Sequence, residues 1–188
     1  ISSAASKVFK LNGETGVEMV ETRVIQEQVR QIDTDANGNV YLRGQSTSAF
    51  TLNGVTCPLN NVMGGNTTNW TAKLNSSAVA QWFHVPDQGH LGFSPWHLVN
   101  QAVTADGRCY AEANDNMRIN GDTVSMGANS KGLYMLSSTG TPIWWKRLNR
   151  TGMLEIEDMS TDPFGNCWIT GTATGIIDLL DTVVNHTG

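Results

Sequence analysis

Asp33-Thr34-Asp35-Ala36-Asn37-Gly38 is the stretch of this chain whose residue types and spacing come nearest to chemistry. Asp33, Asp35 and Asn37 put oxygen donors at alternate positions with a glycine at the bend, the opening half of a calcium loop. The second half does not follow, because the place of the bidentate carboxylate falls on Gly44 and Tyr41 stands where a further acid is expected. The competing reading is a strand-reversing turn. It gains weight from two sister stretches, Thr104-Ala105-Asp106-Gly107 and Thr161-Asp162-Pro163-Phe164-Gly165, which keep the turn and lose the ligands. No cofactor is expected unless calcium sits at Asp33, Asp35 and Asn37, and it would then be a structural ion.

Other reactive residues are scattered. His84, His90 and His97 lie near one another with Asp87 among them, but their spacing matches no metal motif. Cys57, Cys109 and Cys167 are an odd set, so they cannot all pair within one chain. Cys109 and Cys167 follow Gly107-Arg108 and Gly165-Asn166 and read as small buried strand residues in the place of Val40. No Ser/His/Asp set stands out from its neighbours, and neither a Gly-x-Ser-x-Gly elbow nor a phosphate loop is present. Glu155 and Glu157 stand two apart, as on one solvated strand face. These observations point away from an enzyme.

The aromatic residues suggest binding instead. Trp82, Trp144 and Trp168 hold repeat positions and are expected to pack between units. Trp96, in Phe93-Ser94-Pro95-Trp96-His97, has no counterpart elsewhere, which makes Phe93, Trp96 and His97 the candidate contacts for a partner. That partner is expected to be a protein, further copies of the chain, or a glycan. Sequons at Asn66, Asn69, Asn75, Asn149 and Asn185 matter only in a secreted glycoprotein.

The elements that would position these residues are strands. Charged residues make up 15% of the 188, against about 25% usually, while Gly, Ser, Thr and Asn are abundant. The 17 acidic and 12 basic residues leave a net charge of −5 with no basic stripe, so nucleic acid is a poor partner. No apolar run approaches the roughly 20 residues of a membrane span, so no membrane insertion is expected, and no leader of the charged-then-apolar kind stands at the start. The chain is expected to be soluble and, opening at Ile1, to be processed or cut from something longer.

Gln31 to Ser46 reads as a complete β-hairpin, with Val40 and Leu42 alternating against Tyr41 and Arg43 behind the turn at Asn37-Gly38. Gln101 to Ala111 and Glu157 to Gly171 repeat it, with Tyr110 and Trp168 in the place of Tyr41. Phe9-Lys10-Leu11-Asn12, Ala72-Lys73-Leu74-Asn75 and Tyr134-Met135-Leu136-Ser137 form a second recurring mark. Both recur at about sixty residues, a period typical of repeat architectures. The units are 1–6 as a leader, then 7–68, 69–130 and 131–188, each with four main strands and a connector.

Phe/Tyr-x-Leu-Asn, a Gly- or Ser-containing turn, then Trp, then Asp-x-x-Gly-Asn-x-Tyr/Trp-x-x-Gly resembles the β-propeller repeats of bacterial surface and secreted proteins. The resemblance covers nearly the whole chain. It implies an all-β, propeller-like array of three four-stranded antiparallel blades and an extracellular, cell-surface or virion setting. Such repeats are mostly scaffolds and binding modules, so a non-enzymatic structural or binding module is expected. A carbohydrate-binding module and a fragment of a glycan-cleaving propeller enzyme are the alternatives. Closed propellers have about four to eight blades, so three are expected to be completed by another chain or by missing sequence. A β-sandwich or an open stack of sheets is the alternative fold. The end faces are expected to expose apolar residues such as Trp144 and Ile169.

Overall fold

The computed structural model describes residues 6–24, 28–46, 48–58, 68–86, 100–114, 117–119, 122–124, 131–150, 153–179 and 182–186. Every regular element among them is a β-strand, and paired strands are antiparallel throughout. The all-β class expected from composition and turn spacing is what forms.

β1 (Ser6–Leu11) and β2 (Glu18–Val24) make a two-stranded sheet. β3 (Gln28–Thr34) and β4 (Val40–Ser46) are the hairpin around Asn37-Gly38. A small hairpin, β5 (Phe50–Leu52) and β6 (Val55–Cys57), leads on to β7 (Thr68–Leu74) and β8 (Ala80–His84). Together these give a four-stranded sheet in the order β3-β4-β7-β8.

The plan recurs in β9 (Gln101–Val103) and β10 (Cys109–Asn114), the hairpin β11 (Met117–Ile119) and β12 (Asp122–Val124), then β13 (Lys131–Leu136) and β14 (Pro142–Arg150). β15 (Leu154–Thr161) pairs with β16 (Cys167–Ala173). The last hairpin, β17 (Gly175–Leu179) and β18 (Thr182–His186), adds to the edge of β14 and makes the second sheet six-stranded, β9-β10-β13-β14-β17-β18.

These sheets are out of step with the units read in the sequence. β3 and β4 lie in 7–68 and β8 in 69–130, yet all three belong to one sheet, while β1 and β2 pair only with each other among the described residues. A sequence period fixes how often a strand type recurs but not which neighbours it joins.

Side-chain oxygens build the turns. Asp35, Thr104 and Asp162 each donate their backbone N–H to the carbonyl four residues on, at 3.1, 2.9 and 3.0 Å. Asp35 Oδ1 and Asp162 Oδ1 also accept from two later amides, and Thr104 Oγ1 accepts from Arg108 N. Gly38, Gly107 and Gly165 close these turns at φ 72°, 84° and 82°, a region that favours glycine.

Three buried clusters separate four layers. Val8 of β1 packs with Leu42, Trp70, Ala72 and Leu74 of the four-stranded sheet. The opposite face of that sheet supplies Tyr41, which packs with Cys109, Ala111, Tyr134 and Leu136 of the six-stranded sheet. Tyr110, Leu133 and Met135 then meet Ile156 and Met159 of β15. β4, β9, β10 and β13 each supply apolar residues to the clusters on both of their faces. Gly44 lets the Trp70 ring lie flat on the sheet, since a Cβ there would stand 2.3 Å from it.

Candidate functional site

Asp33 and Asp35 are positioned by the β3–β4 hairpin, and their carboxylates point to different neighbours. Asp33 Oδ2 accepts from Val103 N at 2.7 Å, tying β3 to β9, and Oδ1 accepts from Thr34 N at 2.7 Å. Asp35 is buried and spends its carboxylate on its own turn: Oδ1 accepts from Asn37 N and Asn39 N, Oδ2 from Asn39 Nδ2 at 2.7 Å and from the Tyr41 hydroxyl. The Lys73 ammonium stands 3.9 Å from the same Oδ2, where a cation would sit. Burial works against ionisation of Asp35, but the hydrogen bonds from Asn39 and Asn37 and the Lys73 charge outweigh it and hold the carboxyl below its ordinary value. Asn37 offers its backbone amide to the turn, and its residue is exposed. The Asp33 and Asp35 carboxylates are thus engaged with different neighbours, β9 for Asp33 and its own turn for Asp35. Among the described residues, no group of three or more His, Cys, Asp or Glu is placed to hold a metal.

Phe93, Trp96 and His97 lie outside the described residues, as do Asp87 and His90. Cys57 and Cys109 are buried and Cys167 half-buried. Burial pushes the Cys109 thiol up to about 12 and Cys167 to about 11, so both are mostly protonated at neutral pH.

The structure assembles a polar cluster that sequence reasoning missed, between the middle layers and β15. Arg43 of β4 is fully buried; its guanidinium donates to Thr71 Oγ1 at 2.9 Å, to the Tyr134 hydroxyl at 2.8 Å and to the Glu112 carbonyl. Among the described residues its Nε has no partner, nor has the buried Nε2 of His84. Burial, then the nearby Arg43 charge, lower His84 to about 4, so the imidazole is neutral at physiological pH.

Beyond Arg43, the buried Glu112 carboxylate accepts from Lys131 Nζ at 2.7 Å and from Asn100 Nδ2 at 2.9 Å. Lys131 also reaches Glu155 at 2.9 Å, and Asn100 Nδ2 donates to the Ile156 carbonyl. The signal was present: Arg43 and Glu112 sit on the same strand faces as Tyr41 and Tyr110, where a charge must be buried with partners. With its charges answered internally, the cluster fastens layers together.

The ends of the stack differ from its middle. Tyr41 is fully buried and Tyr110 9% exposed, each with its hydroxyl donating at 2.8 Å to the next turn, at Gly107 and Gly165. Trp82 and Trp144 stand edge-on to these tyrosines at 6.0 and 5.8 Å between ring centroids. Trp168, in the corresponding place on β16, is 68% exposed, and Ile169 and Phe164 beside it are also exposed. Of the two residues expected on an open end face, Ile169 is 43% exposed but stands opposite buried Met159, on the strand face that turns inward, and Trp144 is half-buried against Tyr110 because β14 belongs to a middle layer. At the other end β1 exposes Phe9 and Leu11. No protein-family model and no curated protein matches this chain.

Proposed function

We propose that this chain is a non-enzymatic structural or binding module, a propeller-type array of sheets whose two end layers are covered by protein. The observation that carries this reading is the contrast between Trp168, 68% exposed, and Tyr41, fully buried at the corresponding place one layer in. The same contrast separates exposed Phe9 and Leu11 on β1 from buried Ala72 and Leu74 on β7. Apolar faces of this kind mark interaction surfaces. The internal bonding of Asp35, Glu112 and Arg43 supports a scaffold over a catalyst, because these groups hold layers together and offer no reactive centre. The resemblance to propeller repeats carries the proposed extracellular, cell-surface or virion setting and the radial arrangement of sheets.

The test is solution mass and apolar-dye binding of the isolated chain at micromolar concentration. Association, or a monomer that binds the dye strongly, is expected. A well-folded monomer that binds no dye would overturn the reading.

A further inference from the structure

Among the described residues, the two end layers are two-stranded, β1-β2 and β15-β16, where the middle layers have four and six strands. β4 and β10 are each paired on both edges, β4 with β3 and β7, β10 with β9 and β13. β16, which follows the same turn, pairs among the described residues with β15 alone. β7 and β13 are likewise paired on both edges, whereas β1, which carries the same Leu-then-turn pattern, pairs with β2 alone. One end therefore lacks an outer pair of strands, and the other lacks an inner pair. We propose that β16 of one copy pairs antiparallel with β1 of a second copy, completing a four-stranded sheet shared by two chains.

The chain itself supplies the register. In the four-stranded sheet Val40, Tyr41 and Leu42 stand opposite Leu74, Lys73 and Ala72. In the six-stranded sheet Cys109, Tyr110 and Ala111 stand opposite Leu136, Met135 and Tyr134. Carried to the ends, this places Cys167 opposite Leu11 of the second copy, Trp168 opposite its Lys10, and Ile169 opposite its Phe9.

Lys10 is already held for that role. Its Nζ donates to Ser76 O at 3.2 Å, as Lys73 Nζ donates to Ser138 O at 3.2 Å. Lys73 also lies 5.3 Å from the centre of the Tyr41 ring, the aromatic that β4 brings beside it. Trp168 of the first copy takes that place beside Lys10 and gains a cation–π contact. Its indole then lies against the Asp35–Asn39 turn of the second copy, as Tyr41 lies against Gly107. Phe9, Leu11 and Ile169 turn to the face that Ala72, Leu74 and Leu42 bury in the middle of the stack.

The contact is head-to-tail, so it either closes into a ring or extends in a row. Two copies closing on each other leave neither β16 nor β1 with an unpaired edge, and their sheet count falls within the about four to eight blades of closed propellers.

This pairing rests on the module reading, and the experiment separates the two. The Trp168→Lys variant sets two cations opposite each other at a position where the isolated chain buries little, so folding is preserved, as circular dichroism checks. Association measured by sedimentation is expected to weaken at least tenfold, whereas Trp168→Phe retains it. Register is read by Leu11→Cys, which sets a thiol across from the native Cys167. Glutathione disulfide, taking up the two electrons, is expected to link the copies covalently, and Cys167→Ser in the same chain abolishes the link. Trp168→Lys associating like the parent, or Leu11→Cys giving no more linked dimer than Lys10→Cys, would overturn this pairing and leave the module reading standing. A dye-silent monomer would overturn both.

Discussion

Ala78 occupies the left-handed position of the β7–β8 turn at φ 59°, where the matching turns carry Gly16 at 68° and Gly140 at 84°. A Cβ in that region costs about 1 kcal/mol or more. Ala78→Gly should therefore stabilise the chain by about 1 kcal/mol, read as a shift of the urea midpoint at unchanged slope. At His84, lowered from 6.5 to about 4, the unfolded chain binds a proton that the folded chain refuses. Stability is full above 6.5 and falls as pH drops toward 4, by at most about 1.4 kcal/mol per pH unit from this group. His84→Phe keeps a ring beside Tyr134 and should flatten that part of the thermal stability profile. Asp35 acts lower on the scale: its depressed carboxyl stabilises above its ordinary 3.8, and that contribution is lost as pH falls through the lower folded value. Since Lys73 and the turn amides already answer this carboxylate, millimolar calcium should leave the melting temperature unchanged. A rise of several degrees would restore the ion at Asp33, Asp35 and Asn37.

Among the elements, the hairpins were legible and their partners were not. Asn37-Gly38, Asp106-Gly107 and Gly165-Asn166 announce turns because only small or amide-bearing residues accept such backbone angles without strain. Pairing of β4 with β7 carries no such local mark, since it depends on where the β5–β6 hairpin sends the chain. The buried cluster was hidden for a related reason: Arg43 and Glu112 look like solvated strand residues until a further sheet covers their face. Lys131→Met tests the cluster, because it leaves Glu112 charged and buried. A loss of about 3–5 kcal/mol in chemical denaturation is expected. Glu155, whose side chain is 42% exposed, is the control, and Glu155→Gln should lose no more than about 1 kcal/mol.

At the scale of the whole molecule, the buried clusters of the described residues join each layer to the next. The bonds between layers join distant parts of the chain: Tyr41 to Gly107, Tyr110 to Gly165, Lys10 to Ser76, Lys73 to Ser138. No single strand threads the whole stack, so a layer can leave without dismantling those beyond it. Opening should therefore run as unzipping from either end, with a gradient of amide hydrogen exchange along the stack. In the dissociated chain, amides of β1 and β16, with one layer to hold them, should exchange at the lowest opening free energy. Those of β4 and β10, enclosed on both faces, should exchange only by global unfolding. Uniform protection across all layers would mean that the chain opens as one unit.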